Sequence, residues 1–266
     1  MKRLLYINWN VIGDSFTYLQ EVHFRCLKKY NTLFDEVLVI INTDDIHNIN
    51  FIHTIKREFD KIFGNRVKFK VEKNYDEQDN KMFEHYFLPL INKYPNEYSM
   101  IYMINDVKSM YSETRDHSLN NKLWIAAQYY LNFEYFSEHV DALLNKDYCI
   151  SGSLLYNFKF NDGNYTITKH FSGGCYGISI VNMIKQYNKN SDLDRYKVRF
   201  SPESHFFTFI DYDKIYIDSH MKPVDVNNED DNIMPPILNP FMNMYNILKD
   251  NMSLEDFNNI YKLAVE

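Results

Sequence analysis

Glu36-Val37-Leu38-Val39-Ile40-Ile41 is an almost unbroken apolar run, and it gives way at once to Asn42-Thr43-Asp44-Asp45. A run this short, rich in β-branched residues, reads as a strand. One without polar alternation reads as a strand buried on both faces, the habit of a parallel sheet covered by helices. Two other stretches have the same form. Leu4 to Trp9 is compact and apolar and is ended by the turn Gly13-Asp14. Ser99-Met100-Ile101-Tyr102-Met103-Ile104 runs into Asn105-Asp106.

The segments between them carry helix signals. Ser15 is placed to cap a helix in which Phe16, Leu19, Val22, Cys26 and Leu27 share one face. A helix over 46–62 stops at Gly64, as glycine commonly stops helices. Residues 67–71 alternate as a strand, and a helix over 79–94 leads to the strand at 99–104. Strand and helix thus alternate through the first hundred residues. This predicts an α/β fold, a Rossmann-like and mostly parallel sheet with helices on both faces. Such sheets bind ligands beyond the carboxyl ends of their strands, so the candidate loops begin at Asn10, Asn42 and Asn105.

The second half is less regular. It predicts a long helix over 119–136 carrying Trp124, a strand element around Ser151-Gly152-Ser153, and a short strand over 165–168. A glycine-rich loop from His170 to Gly177 should enter a helix over 178–187. Ser201-Pro202-Glu203 has the form of a helix start, with Ser as cap and Pro in the first turn. A strand over 214–217, a charged Pro-ended loop over 227–236 and a capping box at Ser253–Asp256 complete the chain. The expected division is a domain over 1–222 and a C-terminal loop and helical appendage over 223–266.

Composition narrows the function. The net charge of −7 and the dispersed Lys and Arg argue against a nucleic-acid partner, whose phosphates require a basic stripe. The 22 Tyr and 20 Phe can fill a core, and can also line carbohydrate or nucleotide pockets. Cys26, Cys149 and Cys175 form no CxxC pair. A chain of 266 residues needs no disulfide staples, which favours a reducing compartment. No apolar run is long enough to span a bilayer, and Asn8 and Asn10 break the N-terminal stretch too early for a signal peptide. A soluble, cytoplasmic protein is expected. GxGxxG, GxxxxGK[ST], GxSxG and HExxH are all missing, which removes the main support for dehydrogenase, P-loop and α/β-hydrolase readings.

Three features remain: the strand Met100–Ile104 followed by Asn105-Asp106-Val107-Lys108-Ser109; His170-Phe171-Ser172-Gly173-Gly174; and Ser201-Pro202-Glu203 before the aromatic run Phe206-Phe207-Thr208-Phe209-Ile210. An acid at a strand end can touch a diphosphate directly or through a divalent metal, or can simply sit in a solvated loop. Lys108 can pair with the same diphosphate. Ser172-Gly173-Gly174 offers amides at close approach, or is a tight turn. Glu203 is either a general base or an acid complementing a helix dipole. Asp14, Asp44 and Asp45 are candidates for base or ribose contacts, although acids are also at home in turns.

In order and spacing these features resemble a family of GT-A-like glycosyltransferases of bacteria and large DNA viruses. In that family a strand ends in a YxHTKG-like motif, and a Trp-bearing helix, an HFSGNFWWA motif and a PExWI-like helix follow. Here Lys108 stands at the family's lysine, His170-Phe171-Ser172-Gly173 matches outright, Trp124 lies in the intervening helix, and Pro202-Glu203 fits the last motif. Asp106 replaces the family's His, Ser109 its Gly, and Gly174-Cys175-Tyr176-Gly177 its NFWW. The resemblance spans residues 99–210.

It implies transfer of a hexosyl or deoxyhexosyl group from a nucleotide sugar, with UDP as the first expectation, to a hydroxyl of a glycan. The expected donor-binding residues are Asp106 and Lys108 within the stretch of resemblance, together with Asn10, Asp14 and Asp44, which are taken from their places at and after the strand ends. His170, Ser172, Gly173, Gly174 and Tyr176 would contact acceptor and sugar, and Glu203 and Asp106 would carry the catalysis. Mn2+ or Mg2+ on Asp106 is the cofactor expectation. The runners-up are a sugar nucleotidyltransferase and a non-catalytic nucleotide- or carbohydrate-binding protein derived from a transferase.

Overall fold

The computed structural model describes residues 2–11, 13–43, 49–73, 97–105, 119–153, 155–162, 165–171, 175–189, 212–217, 219–221, 224–225 and 243–266. Four strands of the N-terminal half, β1 (Lys2–Asn10), β2 (Glu36–Thr43), β3 (Val67–Lys73) and β4 (Tyr98–Asn105), lie parallel. They join β5 (Ile150–Gly152), β8 (Tyr176–Ser179) and β9 (Ile215–Ile217) in a seven-stranded sheet ordered β3-β2-β1-β4-β8-β5-β9. Only β8 is reversed, being antiparallel to β4 on one side and to β5 on the other. A second, three-stranded sheet is formed by β6 (Leu155–Asp162), β7 (Tyr165–Phe171) and β10 (Val224–Asp225). The α/β, Rossmann-like, mostly parallel architecture read from the apolar runs is the observed one.

Alternation along the strands builds a core on each face. Leu5, Ile7 and Trp9 share one face with Val37, Val39 and Ile41, and with Met100, Tyr102 and Ile104. Covering it are α1 (Tyr18–Lys29), α2 (Ile49–Phe63), α3 (Leu119–Phe133) and α4 (Phe136–Asn145), joined by α6 (Met244–Asn251) and α7 (Leu254–Val265). Trp9 is a core residue here, its ring 4.7 Å from Phe24 and 5.0 Å from Phe59 between centroids. The opposite face carries Leu4, Tyr6, Ile40, Ile101 and Met103, covered by α5 (Ile180–Lys189) through Ile180 and Met183.

Several local expectations shift. The cap of α1 is Thr17, not Ser15: Thr17 accepts from the Gln20 amide and Gln20 reaches back to Thr17, a reciprocal box. The long helix expected over 119–136 is α3, which ends at Phe133, and a separate helix, α4, begins at Phe136. His170 and Phe171 belong to β7, and the chain after the glycine loop enters β8 before α5 begins at Ile180, so the loop leads into a strand rather than a helix. The strand at 215–217 is followed by β10. The helix expected over 79–94 lies outside the described residues.

The C-terminal helices are tied to the first core by polar contacts too. Ser253 caps α7, and Asp256 in its first turn accepts from Tyr130 at 2.9 Å and Tyr135 at 2.6 Å. Arg25 of α1 donates to the carbonyl of Leu263 at 2.7 Å. His220 stacks on Tyr135, ring centroids 3.3 Å apart, and meets Glu138 at 3.2 Å. Cys26, Cys149 and Cys175 are buried and form no disulfide.

Candidate functional site

After β1 the chain builds β2 and β3 on one side, then crosses to β4 on the other. The gap between β1 and β4 is therefore the point where strand order reverses, the place where open α/β sheets take ligands at their carboxyl ends. Asn8 of β1 pairs with Asn105 of β4 across this gap, and Asn10 pairs with Asn42 of β2. By alternation all four asparagines lie on the face of Tyr6, Ile40 and Met103, one step beyond that apolar layer. One face of three adjacent strands thus turns from hydrocarbon to carboxamide near their carboxyl ends, at Asn8 and Asn105 in β1 and β4 and two residues further on, beside Asn10, in β2.

The row is buried: Asn8, Asn10 and Asn42 are 1% exposed and Asn105 is 5%. Asn42 Nδ2 donates to Asn10 Oδ1 at 3.2 Å. Gln20 Nε2 donates to the Asn10 carbonyl at 2.7 Å, and the Val11 amide donates to the Asn42 carbonyl at 2.8 Å. Asn42 Oδ1 and Asn105 Oδ1 are buried and accept no hydrogen bond among the described residues. Leaving a buried acceptor unmade costs about 1–3 kcal/mol, so packing alone does not favour them.

The described side chains of the row are neutral. On the other face of β1, His23 sits edge-on to Trp9 and bonds Tyr129 Oη at 2.8 Å. Burial lowers its pKa to about 3, so the imidazole is neutral at physiological pH. Charge gathers instead at the amino ends of the strands. There Glu36 accepts from Lys2, from Lys68 at 3.2 Å and from Tyr98 at 2.7 Å. Burial raises the Glu36 pKa, but these bonds outweigh it and hold the carboxyl at about 2. That cluster ties strand starts together at the end of the sheet away from the asparagines.

Of the residues singled out in the sequence, Asn10 is in the row. Asp14 is exposed in the turn after Gly13, whose φ of +67° suits glycine. Tyr176 is buried in β8, opposite Met103, and its hydroxyl meets Met103 Sδ at 3.4 Å. It therefore packs beneath the asparagine level. His170 pairs with Tyr156 in the second sheet. Asp44, Asp45, Asp106, Lys108, Ser172, Gly173, Gly174 and Glu203 lie outside the described residues. The metal expectation on Asp106 falls there as well, and among the described residues no group of three His, Cys, Asp or Glu side chains is placed to hold a metal ion. The amide row as a unit was missed in the sequence. Its signal in the sequence is only that three apolar runs break to asparagine; that these residues share a face follows from the strand register.

No helix among the described residues is long and apolar enough to cross a membrane. No protein-family model matches the chain, and no curated protein matches it in sequence. Among solved structures it is similar to core-mannan synthase A of Aspergillus fumigatus in its Mn/GDP form. The two are 10% identical, the match covers 98% of this chain and 83% of that one, and the TM-score is 0.37, a likeness too low to carry an argument about ligand or chemistry.

Proposed function

We propose that this chain is a glycosyltransferase that moves a hexosyl or deoxyhexosyl group from a nucleotide sugar, a UDP-sugar in the first instance, to a hydroxyl of a glycan. The observation that carries the reading is the buried carboxamide row at the switch point of a parallel sheet. It is a polar floor where this architecture takes nucleotides. Asn105 ends β4 and is bonded directly to Asp106-Val107-Lys108, the stretch that resembles the transferase motif.

In the proposed reaction the acceptor hydroxyl oxygen attacks the anomeric carbon. The bond from that carbon to the diphosphate oxygen breaks, and the nucleoside diphosphate leaves with the electron pair. Lys108 offsets the charge that develops on it. Glu203 takes the acceptor's proton if the anomeric centre inverts. Ser172, Gly173, Gly174 and His170 belong to the acceptor and sugar side. Asp106 would hold a divalent cation, which would supply further positive charge to the diphosphate.

Nucleoside diphosphate release tests the reading. The protein is incubated with a panel of nucleotide sugars, with and without Mn2+, and slow release from one donor, accelerated by an acceptor glycan, is the expected result. Tight binding without release from any donor would favour the non-catalytic relative, and pyrophosphate-dependent cleavage would favour the nucleotidyltransferase.

A further inference from the structure

Of the eight large apolar side chains left exposed among the described residues, four stand on the last two helices: Tyr245 on α6, and Leu254, Tyr261 and Val265 on α7. Single exposed apolar residues are ordinary, but these four adjoin one another. Tyr261 and Val265 follow Leu254 by seven and eleven residues, close to two and three whole turns, so the three line one edge of α7. Phe257 joins that edge to α6, its ring 5.2 Å from Tyr245 and 6.3 Å from Tyr261 between centroids. Leu254 is 70% exposed, the most open of the set. The face of α7 that buries Phe257, Ile260 and Ala264 is turned roughly a quarter turn from this edge, so the stripe is additional to the packing of α7 on its own core.

The flank of the stripe and its one polar member decide what fits it. Asn258, exposed, sits between Leu254 and Tyr261 on the same edge. Glu255 and Lys262, also exposed and seven residues apart, share one flank, with opposite charges towards opposite ends of the helix. A second copy of α7 laid antiparallel across a two-fold axis near Asn259 and Ile260 brings Leu254 to the partner's Val265 and Glu255 to the partner's Lys262. It also sets Asn258 against the partner's Tyr261, whose hydroxyl can bond a carboxamide. Each of these contacts occurs twice, because a two-fold interface is self-complementary. A parallel pairing would put the two charged flanks on opposite sides of the seam and answer neither charge. Lys262 also meets Glu266 of its own helix at 3.6 Å, an exposed ion pair too weak to hold it back from a partner.

We infer that α7 is a self-association surface, pairing antiparallel with α7 of a second copy of this chain. The seam from Leu254 to Val265 is about 17 Å long, at 1.5 Å per residue. That is short for a permanent interface, so the dimer belongs to the weak, concentration-dependent class. The inference stands apart from the transferase reading and neither needs it nor supports it.

Sedimentation velocity of the intact protein tests it, with a monomer expected near ~1 µM and a dimer growing in towards ~200 µM. Leu254→Glu puts a carboxylate into the seam and should leave the chain monomeric throughout. The position is exposed and an acid in a first helical turn suits the dipole, so its melting curve should stay near native. Glu255→Lys would face the partner's Lys262 and should weaken dimerisation about tenfold. Adding Lys262→Glu exchanges the signs of both pairs and should bring dimerisation back to within about threefold of native.

A native chain that stays monomeric at ~200 µM would overturn the pairing and leave the stripe to a different protein. A dimer indifferent to Leu254→Glu would overturn it by placing the contact elsewhere. A loss in Glu255→Lys that Lys262→Glu fails to relieve would rule out the antiparallel register on which the inference depends.

Discussion

Asn42 donates its side-chain amide to the side-chain oxygen of Asn10 at 3.2 Å, and this bond decides which way the Asn42 carboxamide faces. Both groups are buried at the ends of adjacent parallel strands, so neither can fall back on bulk water. Asn10→Ala should therefore destabilise by about 1–3 kcal/mol, because it leaves a buried donor unmade. For a chain of this size that is a drop of several degrees in melting temperature. Asn10→Ala combined with Asn42→Ala should lose less than the sum of the single changes. Differential scanning fluorimetry on the four proteins checks both, and strict additivity would mean the pair is not coupled.

Gly177 is tight for a different reason. A Cβ built there would lie 2.6 Å from Tyr102 Cε2, 2.9 Å from Ser151 Oγ and 3.0 Å from Leu143 Cδ1. Two of these neighbours are fully buried core side chains and the third is buried on the adjacent strand, so none has open space to retreat into. Gly177→Ala should cost about 1–3 kcal/mol by overpacking. Leu143→Ala in the same background should relieve less than it costs alone, because it opens only one of the three contacts. Urea unfolding measures this, and a neutral Gly177→Ala would show that the α4–β8 contact is looser than its geometry.

Asp256 anchors the C-terminal helix to α3 and the turn that follows it. Burial raises its pKa, but hydrogen bonds from Ser253, Tyr135 and Tyr130 outweigh this, and the net shift is downward from 3.8. A depressed carboxyl stabilises the fold above its unfolded pKa, and that contribution is lost as pH falls through the folded value. Asp256→Asn should thus cost about 1–3 kcal/mol at pH 7. The gap between variant and native protein should narrow below about pH 3.8. Unfolding free energies across that range give the answer, and a gap that widens on acidification would reverse the sign argued here.

How much of this was legible depended on the range of the interaction. Val37–Ile41 announces β2 because a strand covered on both faces carries no polar residue in this run, a property of the strand alone. Thr17 was harder, because Ser15 competes as a cap and the choice is made by Gln20 three residues beyond Thr17. The boundary between α3 and α4 falls at Glu134-Tyr135, where neither Gly nor Pro marks it. β8 is four residues long and takes its place by pairing with Met100–Met103 far back in the chain, which no local period encodes. The same holds for Gly177: it reads as a loop glycine until Tyr102 is known to cross beside it. The loops beginning at Asn10, Asn42 and Asn105 were legible as strand ends, but the shared face of their asparagines needed the register.

Glu203 is the residue on which the proposed chemistry depends most. Removing a proton from an acceptor hydroxyl requires a base within hydrogen-bond reach, and a carboxylate at a helix start can also be there only to complement the dipole. The two roles separate in one variant. Glu203→Gln preserves size and most hydrogen bonding but cannot accept the proton. If Glu203 is the base, turnover should fall by about 10² to 10⁴ while the affinity for the donor diphosphate stays near native. If it only complements the helix, transfer should continue at a near-normal rate and the melting temperature alone should shift slightly. Lys108→Ala supplies the contrast on the other side of the reacting bond. It should weaken UDP far more than uridine, because the charge it answers is on the phosphates. Donor affinity lost in Lys108→Ala but kept in Glu203→Gln, with turnover lost in both, is the pattern expected of one residue on the leaving group and one on the nucleophile.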